Sequence, residues 1–393
     1  MPRLLGVIVG TALMLLAIPA SADVVKVGLI ASYTGAFATW GSQFQQAVEA
    51  YQALHGKTVK GQDGKDHEIQ FIYRDAASQG PDKAKQLAEE LILRDRVKFI
   101  AGLELSPYAM ALADLSKEAK VPVVIMNAAT SSITRMSPYF VRVSMTVPQL
   151  VSPIGPWAVA HGIKRVYVIV SDYAPGYDAE QYFTKTFKAA GGEIVGSART
   201  PQQETNFSAY MERVLQAKPD ALYMFQPAGS PSVAFVKAYV ERGLKVAGIK
   251  LLGGGETQEL FLPNFTDDIV GTVTSFHYTE TNKNLANIEL QAQLKKMFGD
   301  KAIPDIASVA AWDGTMLIQQ AVAALGARCR RSQIHRFHEG EEVRQPARAG
   351  RHRPGRAGCH PEHLYPPGRE AGRSARQCRY RPGGYGEGSV EDR

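Results

Sequence analysis

The chain has 393 residues, of which 45% are hydrophobic and 21% are charged, a composition typical of globular proteins with room for two domains. These values exclude a fibrous, collagen-like or wholly disordered protein. The formal net charge of +7 raises the question of a nucleic-acid or membrane partner. However, residues 328–393 carry 15 arginines and 8 acidic residues, which leaves 30 residues of each sign in the rest of the chain. The basicity belongs to the tail, and we expect no nucleic-acid partner.

Residues 1–22 have the features of an export signal. Arg3 precedes an apolar stretch, and Ala20-Ser21-Ala22 supplies the small residues of a cleavage site. The apolar stretch is shorter than the ~20 residues that span a membrane, which disfavours the alternative, a membrane anchor. All three cysteines lie after residue 328, so the body of the chain has no disulfide framework and no thiolate metal site. We expect cleavage near Ala22 and an exported, soluble protein.

From Val24 onward, short β-branched runs alternate with amphipathic stretches of helical length, which predicts parallel sheets covered by helices on both faces. The first run is predicted as strand Val24–Ile30, helix Ser42–His55, strand Ile69–Tyr73, helix Asp82–Arg94, strand Val97–Gly102, helix Tyr108–Lys120 and strand Val121–Met126. The second run is predicted as strand Arg165–Val170, helix Ala179–Ala190, strand Glu193–Ser197, helix Phe207–Ala217, strand Ala221–Phe225, helix Pro231–Arg242 and strand Ile249–Leu252. Strand Gly271–Tyr278 and helices Ile288–Phe298 and Ile306–Leu325 follow.

Two successive runs of this kind predict an α/β protein with two doubly wound, Rossmann-like lobes. The first boundary is expected near Arg142–Val147, and the last helices are expected to return to the first lobe. The predicted division is a signal peptide at 1–22, an N-terminal lobe at 23–144 plus 279–327, a C-terminal lobe at 145–278, and a basic tail at 328–393.

Loops at the carboxyl ends of the predicted strands are the expected ligand site, because open parallel sheets bind ligands there. Their hydroxyls and helix-start N–H groups suit a carboxylate, their acids suit an ammonium group, and their aromatic residues suit an apolar wall. The alternatives are plain helix N-capping by Ser and Thr and, at Glu256, a solvated loop acid. The candidate residues are Tyr33, Trp40, Leu105, Ser106, Ala128, Ala129 and Thr130 in the first run and Asp172, Tyr173, Tyr177, Gln226 and Glu256 in the second.

The sequence carries no strong signal for catalysis, a cofactor or a metal. Gly253-Gly254-Gly255 lacks the spacing of a dinucleotide fingerprint, and no phosphate loop, nucleophile elbow or His-Glu-x-x-His pair occurs. His277 is a lone histidine at a predicted strand, and His335 and His338 have metal-like spacing but lie in the tail. We expect no catalytic residue, no cofactor and no metal.

Four segments occur in a characteristic order, Val27–Gly35, Asn127–Thr130, Asp172–Tyr177 and Thr205–Phe207. With them the chain resembles the type I periplasmic binding proteins of the leucine/isoleucine/valine group over residues 24–325. The resemblance implies two lobes joined by hinge strands that close on a ligand and deliver it to a membrane ABC permease. It also implies that Ala128, Thr130 and either Ser106 or Leu105 hold an α-carboxylate. Tyr173 or Tyr177 and Glu256 would then hold the α-amine.

The resemblance predicts a non-enzymatic, monomeric periplasmic receptor for an amino acid, branched-chain or aliphatic. Leu105-Ser106-Pro107 departs from the family's serine run. That departure leaves open an aromatic or other small carboxylate without an amine. A ligand sensor for a membrane receptor and a secreted enzyme on the same architecture also stay open.

Residues 328–393 are rich in Arg, Gly, Pro and His and have hardly any aliphatic residues, so they cannot form a packed core. The family continues here with a helix and further strands. Reading hypothetical codons for 333–349 and 377–391 from their second base gives family-like sequence. This indicates a frame change after about Ala327 and predicts a disordered tail; a natural basic tail is the alternative.

Overall fold

The computed structural model describes residues 22–255 and 257–326, and within them the strands form two sheets. The first contains β1 (Asp23–Ala31), β2 (Thr58–Lys60), β3 (Asp66–Asp75), β4 (Phe99–Gly102), β5 (Val123–Ile125) and β6 (Phe140–Arg142). The second contains β7 (Arg165–Ser171), β8 (Glu193–Thr200), β9 (Ala221–Phe225), β10 (Lys250–Gly253) and β11 (Val273–Thr274). The proposed cleavage signal up to residue 21, Glu256 and the tail lie outside the described residues.

Both sheets have a point at which the order of their strands reverses. The first runs β2-β3-β1-β4-β5-β6, with β2 antiparallel to β3 and the other pairs parallel. The second runs β11-β10-β9-β7-β8, all parallel. The reversals fall between β1 and β4 and between β7 and β9. Ligands of open α/β sheets bind outside the carboxyl ends of the strands at such points.

The helices cover the sheets and bury the apolar strands. Those in the described residues are α1 (Ala38–His55), α2 (Pro81–Leu93), α3 (Ser106–Ala111), α4 (Ala113–Ala119), α5 (Ile133–Met136), α6 (Val147–Val151), α7 (Ile154–Ala160), α8 (Ala174–Ala189), α9 (Ser208–Ala217), α10 (Ser230–Glu241), α11 (Leu285–Phe298) and α12 (Ile306–Leu325). Short 3₁₀ turns cover Leu262–Asn264 and Asp267–Ile269. We call the first sheet with its helices the first lobe, and the second sheet with its helices the second lobe.

The last two helices pack on the first lobe. Tyr51 of α1 forms a buried cluster with Leu290 and Leu294 of α11 and Trp312 of α12. The Asp305 carboxylate caps α12 by accepting from the backbone N–H of Ala307 at 2.9 Å, which satisfies a donor that the helix itself leaves unpaired. The chain therefore crosses back from the second lobe before α11 begins at Leu285.

Two predicted elements are divided or shortened in the structure. The predicted helix Tyr108–Lys120 is two short helices, α3 and α4. They are separated because the backbone N–H of Leu112 donates to the carbonyl of Ala109, three residues earlier, at 3.1 Å, which is the tighter 3₁₀ pattern. The predicted strand Gly271–Tyr278 pairs only over Val273–Thr274. Apolar content alone predicts neither a break within a helix nor the length of a sheet-edge pairing.

Helix α8 begins five residues before the predicted Ala179, at Ala174. Pro175 fits the first turn of a helix, where its missing N–H is not needed. An added Cβ on Gly176 would collide with the Ser171 carbonyl, so glycine lets this turn press against the end of β7. The Pro-Gly pair therefore starts a helix here, although such pairs usually indicate a turn.

Candidate functional site

The strand ends at both reversal points face one cavity of about 60 Å³. One water molecule needs roughly 10–15 Å³ on this measure, so the cavity has room for a small organic molecule. Its apolar lining consists of large side chains from several elements: Trp40, Met145, Leu150, Phe225, Phe276 and Ile306. Its polar lining side chains are Glu104, Ser106, Asn127, Tyr173 and Gln226. An apolar cavity with a few polar groups is typical of a small-molecule site.

A sharp turn after β4 brings the chain beneath this cavity. Gly102 has φ +96° and Leu103 has φ +64°, so two successive residues adopt left-handed conformations. The turn is held by the Leu103 N–H, which donates to the Ile30 carbonyl of β1 at 2.8 Å. A strained non-glycine residue such as Leu103 persists only where its surroundings fix it, and such residues cluster at functional sites.

Glu104 follows this turn and is almost completely buried, with 1% of its surface exposed. Its Oε1 accepts from the Ser32 backbone N–H at 3.0 Å and from the Ser32 hydroxyl at 2.6 Å. Its Oε2 is buried and has no hydrogen-bond partner among the described residues. Burial disfavours the charged form and raises the pKa of Glu104 to about 7, against the opposing effect of the bonds from Ser32.

Ser106 and the loop after β5 are tied together. The Ser106 hydroxyl oxygen accepts from the Thr130 backbone N–H at 3.1 Å. Arg142, which is buried, donates from Nη1 to the carbonyls of Ala128 at 3.1 Å and Thr130 at 2.8 Å. Burial lowers the pKa of Arg142 to about 10, and the nearby Asp178 charge acts in the opposite sense. The guanidinium thus stays charged at neutral pH and fixes the backbone of residues 128–130.

One carboxylate joins this loop to the second lobe. Asp178 of α8 accepts from the Thr130 hydroxyl at 2.9 Å, from the Ser131 backbone N–H at 2.7 Å and from the Ser131 hydroxyl at 3.2 Å. All these donors belong to the first lobe. The Thr130 hydroxyl is therefore used in a contact between the lobes.

The side chains of Trp40 and Gln203 also form hydrogen bonds between the lobes. The Trp40 indole Nε1 donates to the Ala228 carbonyl at 3.1 Å, and the Gln203 side-chain amide donates to the Ser78 carbonyl at 3.1 Å. With the Asp178 contacts, they hold the strand ends of the two lobes face to face around the cavity. This is the arrangement expected of two lobes closed over a ligand site.

Comparison with known proteins places this geometry in a family. A family model described as periplasmic binding protein matches residues 24–361. A relative from Brucella melitensis, named Leu/Ile/Val-binding protein homolog 6, is 39% identical over 320 residues, which cover 80% of this chain and 81% of the relative. This chain belongs to the periplasmic binding protein family.

Solved structures of the family support the fold in detail. An ABC-transporter solute-binding protein from R. palustris, in complex with 4-hydroxybenzoate, is 42% identical and has a TM-score of 0.76 over 79% of this chain and 84% of that chain. Another from Rhodopseudomonas palustris BisB5, in complex with 3,4-dihydroxybenzoic acid, is 40% identical with a TM-score of 0.74 over 79% and 84%. The predicted type I binding-protein fold is confirmed. The protein is a periplasmic solute-binding receptor of an ABC transporter, a class of proteins that are not enzymes.

The binding protein brings part of the predicted site together. The predicted residues that line the cavity are Trp40, Leu105, Ser106, Ala129, Tyr173 and Gln226. Ala128 and Thr130 lie in the same loop but outside the lining. Glu256 lies outside the described residues, so its role stays a prediction.

Three predicted residues lie away from the cavity lining. The Tyr33 ring stands edge-on to Tyr73 at a centroid distance of 6.2 Å. The Tyr177 hydroxyl donates to exposed Asp172 at 2.8 Å, and the Arg199 guanidinium lies 4.5 Å from the centre of the Tyr177 ring. Asp172 and Tyr177 thus contact each other at the surface of the binding protein.

Several lining residues of the binding protein were missed by the sequence prediction. Glu104 lies directly between Leu103 and Leu105 after a fully buried strand, which is a signal for an enclosed acid. Phe276 and Ile306 belong to distant segments that meet the cavity only through tertiary packing. Within residues 22–255 and 257–326, no group of three His, Cys, Asp or Glu side chains is placed to hold a metal ion. No helix in that part of the chain combines the length and apolar character of a membrane span.

Proposed function

We propose that this binding protein captures a small aromatic carboxylate and delivers it to the permease of its ABC importer. The observation that carries the proposal is the aromatic lining of the cavity on both sides. Trp40 lines it from the first lobe, and Phe225 and Phe276 line it from the second. Aromatic rings bury a large apolar area and pack well face to edge, so a flat ring fits between these side chains when the lobes close.

The charges around the cavity also favour a ligand without an amine. A buried ammonium group needs an anionic partner, because desolvating an unpaired charge is costly. Asp172, which was predicted to hold an α-amine, pairs instead with Tyr177 at the surface. Among the described residues, Glu104 is the acid that lines the cavity, and burial raises its pKa to about 7, so its charged form is less favoured than that of an ordinary carboxylate. The relatives of 40–42% identity that were solved with hydroxylated benzoates support the same ligand class.

Ser106 is the proposed anchor for the ligand's carboxylate. Its oxygen accepts from the Thr130 N–H, and its own hydroxyl hydrogen can donate to an acceptor on the ligand. It lines the cavity from the first lobe and is bonded to the loop of residues 128–130, which Arg142 fixes. The ligand would first bind this lobe, and closure of the second lobe would remove it from water.

The receptor's cellular setting completes the proposal. Export with cleavage near Ala22 would leave a monomeric periplasmic protein whose partner is a membrane permease. The lobe boundaries at residues 144–145 and 278–279 and a shifted reading frame after about Ala327 are part of this proposal.

Titration calorimetry of the dialysed full-length protein tests the ligand class. We expect benzoate and 4-hydroxybenzoate to bind at least about 100-fold more tightly than leucine, which corresponds to about 2.7 kcal/mol. Leucine lacks the flat ring that Trp40, Phe225 and Phe276 would enclose. Tight binding of leucine with no binding of the benzoates would instead establish an amino-acid receptor, in keeping with the name of the Brucella relative.

A further inference from the structure

We propose that Glu104 accepts a hydrogen bond from a hydroxyl group on the bound aromatic carboxylate and so selects hydroxylated ligands over unsubstituted ones. The inference rests on the proposed function, because it concerns the same cavity, and it adds the group that determines specificity. Four observations support it: the fixed position of Glu104, its unpaired oxygen, the neighbours that set its charge, and the apolar lining of the cavity.

The position of the Glu104 side chain is fixed by Ser32. Both hydrogen bonds from Ser32 go to Oε1, at 3.0 Å from the backbone N–H and 2.6 Å from the hydroxyl. The Asn127 side-chain amide donates to the Glu104 backbone carbonyl at 2.7 Å. A side chain and a backbone held at three points are preorganised, which is required of a group that must discriminate between ligands.

The second oxygen of this carboxyl group is the unusual feature. Oε2 is buried without a partner among the described residues, and Glu104 lines the cavity. Buried polar atoms in proteins are nearly always hydrogen-bonded. Glu104 forms no ion pair within the described part of the chain, so the missing partner is a donor that arrives with the ligand.

The groups that face Glu104 make it a strong acceptor near neutral pH. Tyr33 follows β1, Tyr108 lies on α3, and Asp75 ends β3; each interacts electrostatically with Glu104. The Asp75 carboxylate is bound by the backbone N–H groups of Tyr33 at 2.8 Å and Ala77 at 2.7 Å. Burial raises the pKa of Glu104 to about 7 and the Asp75 charge acts in the same direction, so the group ionises as the pH rises through neutrality.

The rest of the lining makes the discrimination sharp. The large side chains that line the cavity together with Glu104 are mostly apolar, including Trp40, Met145 and Ile306. A ligand that lacks a donor would bury the Glu104 carboxylate with Oε2 unpaired. A site built to hydrogen-bond one group rejects the analogue without that group far better than an apolar pocket rejects an added group.

A set of ligands with different groups at one ring position tests the inference with the full-length protein. Calorimetry would compare benzoate, 4-fluorobenzoate, 4-aminobenzoate and 4-hydroxybenzoate. The amino group is mainly a donor, whereas fluorine donates nothing. We expect the amino and hydroxyl ligands to bind about tenfold more tightly than the other two, because a hydrogen bond to a charged acceptor has roughly this effect.

Glu104→Gln is the decisive variant. Its amide oxygen can still accept from both Ser32 donors, so the fold is retained, but its amide nitrogen replaces Oε2 and donates where Glu104 accepts. We expect the preference for 4-aminobenzoate over benzoate to fall to about twofold or less. Asp313→Asn is the matched control, because burial raises the pKa of Asp313 to about 6 and this residue lies outside the cavity lining. It should leave the preference unchanged.

The pH dependence provides a second measurement without any substitution. The ratio of the affinities for 4-aminobenzoate and benzoate should rise between pH 6 and pH 8 in the natural protein, because Glu104 ionises in this range. The ligands' own carboxylates are ionised throughout and cancel in the ratio. In Glu104→Gln the ratio should be flat.

The outcomes separate the two proposals. If benzoates bind without preference for a donor group, or if Glu104→Gln keeps that preference, the role of Glu104 is wrong while the proposed ligand class stands. If no benzoate binds and leucine binds, the proposed function fails, and this inference fails with it.

Discussion

Replacing Gly102 by alanine is expected to lower the free energy of unfolding by about 3–5 kcal/mol, the largest stability effect that we expect here. Gly102 has φ +96°, a conformation that costs other residues about 1–2 kcal/mol. An added Cβ would also collide with the Ile30 carbonyl oxygen, and this oxygen accepts the hydrogen bond from Leu103. The substitution would therefore separate β4 from β1 at the turn that positions Glu104. Urea denaturation followed by circular dichroism measures the loss.

Gly191 provides the matched control for this prediction. Its φ is +98°, but no atom lies within 4 Å of an added Cβ. Gly191→Ala should thus cost only the conformational part, about 1–2 kcal/mol. Equal losses for the two variants would show that the close approach of β4 and β1 relaxes without cost. Ligand affinity should fall in Gly102→Ala and stay unchanged in Gly191→Ala, since Gly191 lies outside the cavity lining.

Replacing Asp178 by alanine is expected to weaken ligand binding about tenfold, or about 1.4 kcal/mol, without any direct contact to the ligand. Asp178 joins Thr130 and Ser131 of the first lobe to α8 of the second. Its loss leaves these donors unpaired in the closed arrangement and removes the negative charge near buried Arg142. The open state gains in population, so apparent affinity falls. Calorimetry with the best benzoate ligand measures the change.

A double-mutant cycle isolates the contact between the lobes. Thr130→Val keeps the shape of Thr130 but removes its hydroxyl, and we expect it to weaken binding by about 0.5–1.5 kcal/mol. Because Thr130 and Asp178 share one hydrogen bond, their combined effect should be smaller than the sum of the single effects. Additive losses would contradict this coupling. A loss of stability with unchanged affinity would show that Asp178 supports the fold and has no part in closure.

The sequence predicts the fold wherever burial is continuous. Strands β1, β7 and β9 are nearly uninterrupted apolar runs, because helices cover both faces of each sheet. The break between α3 and α4 and the short β11 depend on backbone hydrogen bonds whose partners are set by tertiary packing. Periodicity contains no information on those partners.

The candidate site is predictable where it follows directly from strand ends. Trp40, Ser106 and Tyr173 come from the segments predicted as loops at the reversal points, although Trp40 and Ser106 lie in the first turns of α1 and α3, and all of them line the cavity. Met145 and Ile306 line it from segments outside those loops, so their place depends on how the whole chain packs. Glu104 and Asp172 are both loop acids after strands, yet one is buried and the other exposed. Local sequence does not distinguish between them, because the difference lies in what packs over each loop.

The links between the lobes have a consequence for the conditions under which uptake works. They are made by an indole, an amide, two hydroxyls, a backbone N–H and one partly buried carboxylate. The ion pairs in the described residues lie within single lobes, such as Lys117 with Asp114 and Arg199 with Glu180. Dissolved salt screens interactions between exposed charges, with a Debye length of about 8 Å at physiological ionic strength, but affects short, partly buried contacts much less. Closure should therefore depend little on ionic strength. The protein would then capture its ligand at nearly the same ligand concentration when the salinity of the periplasm follows that of its surroundings.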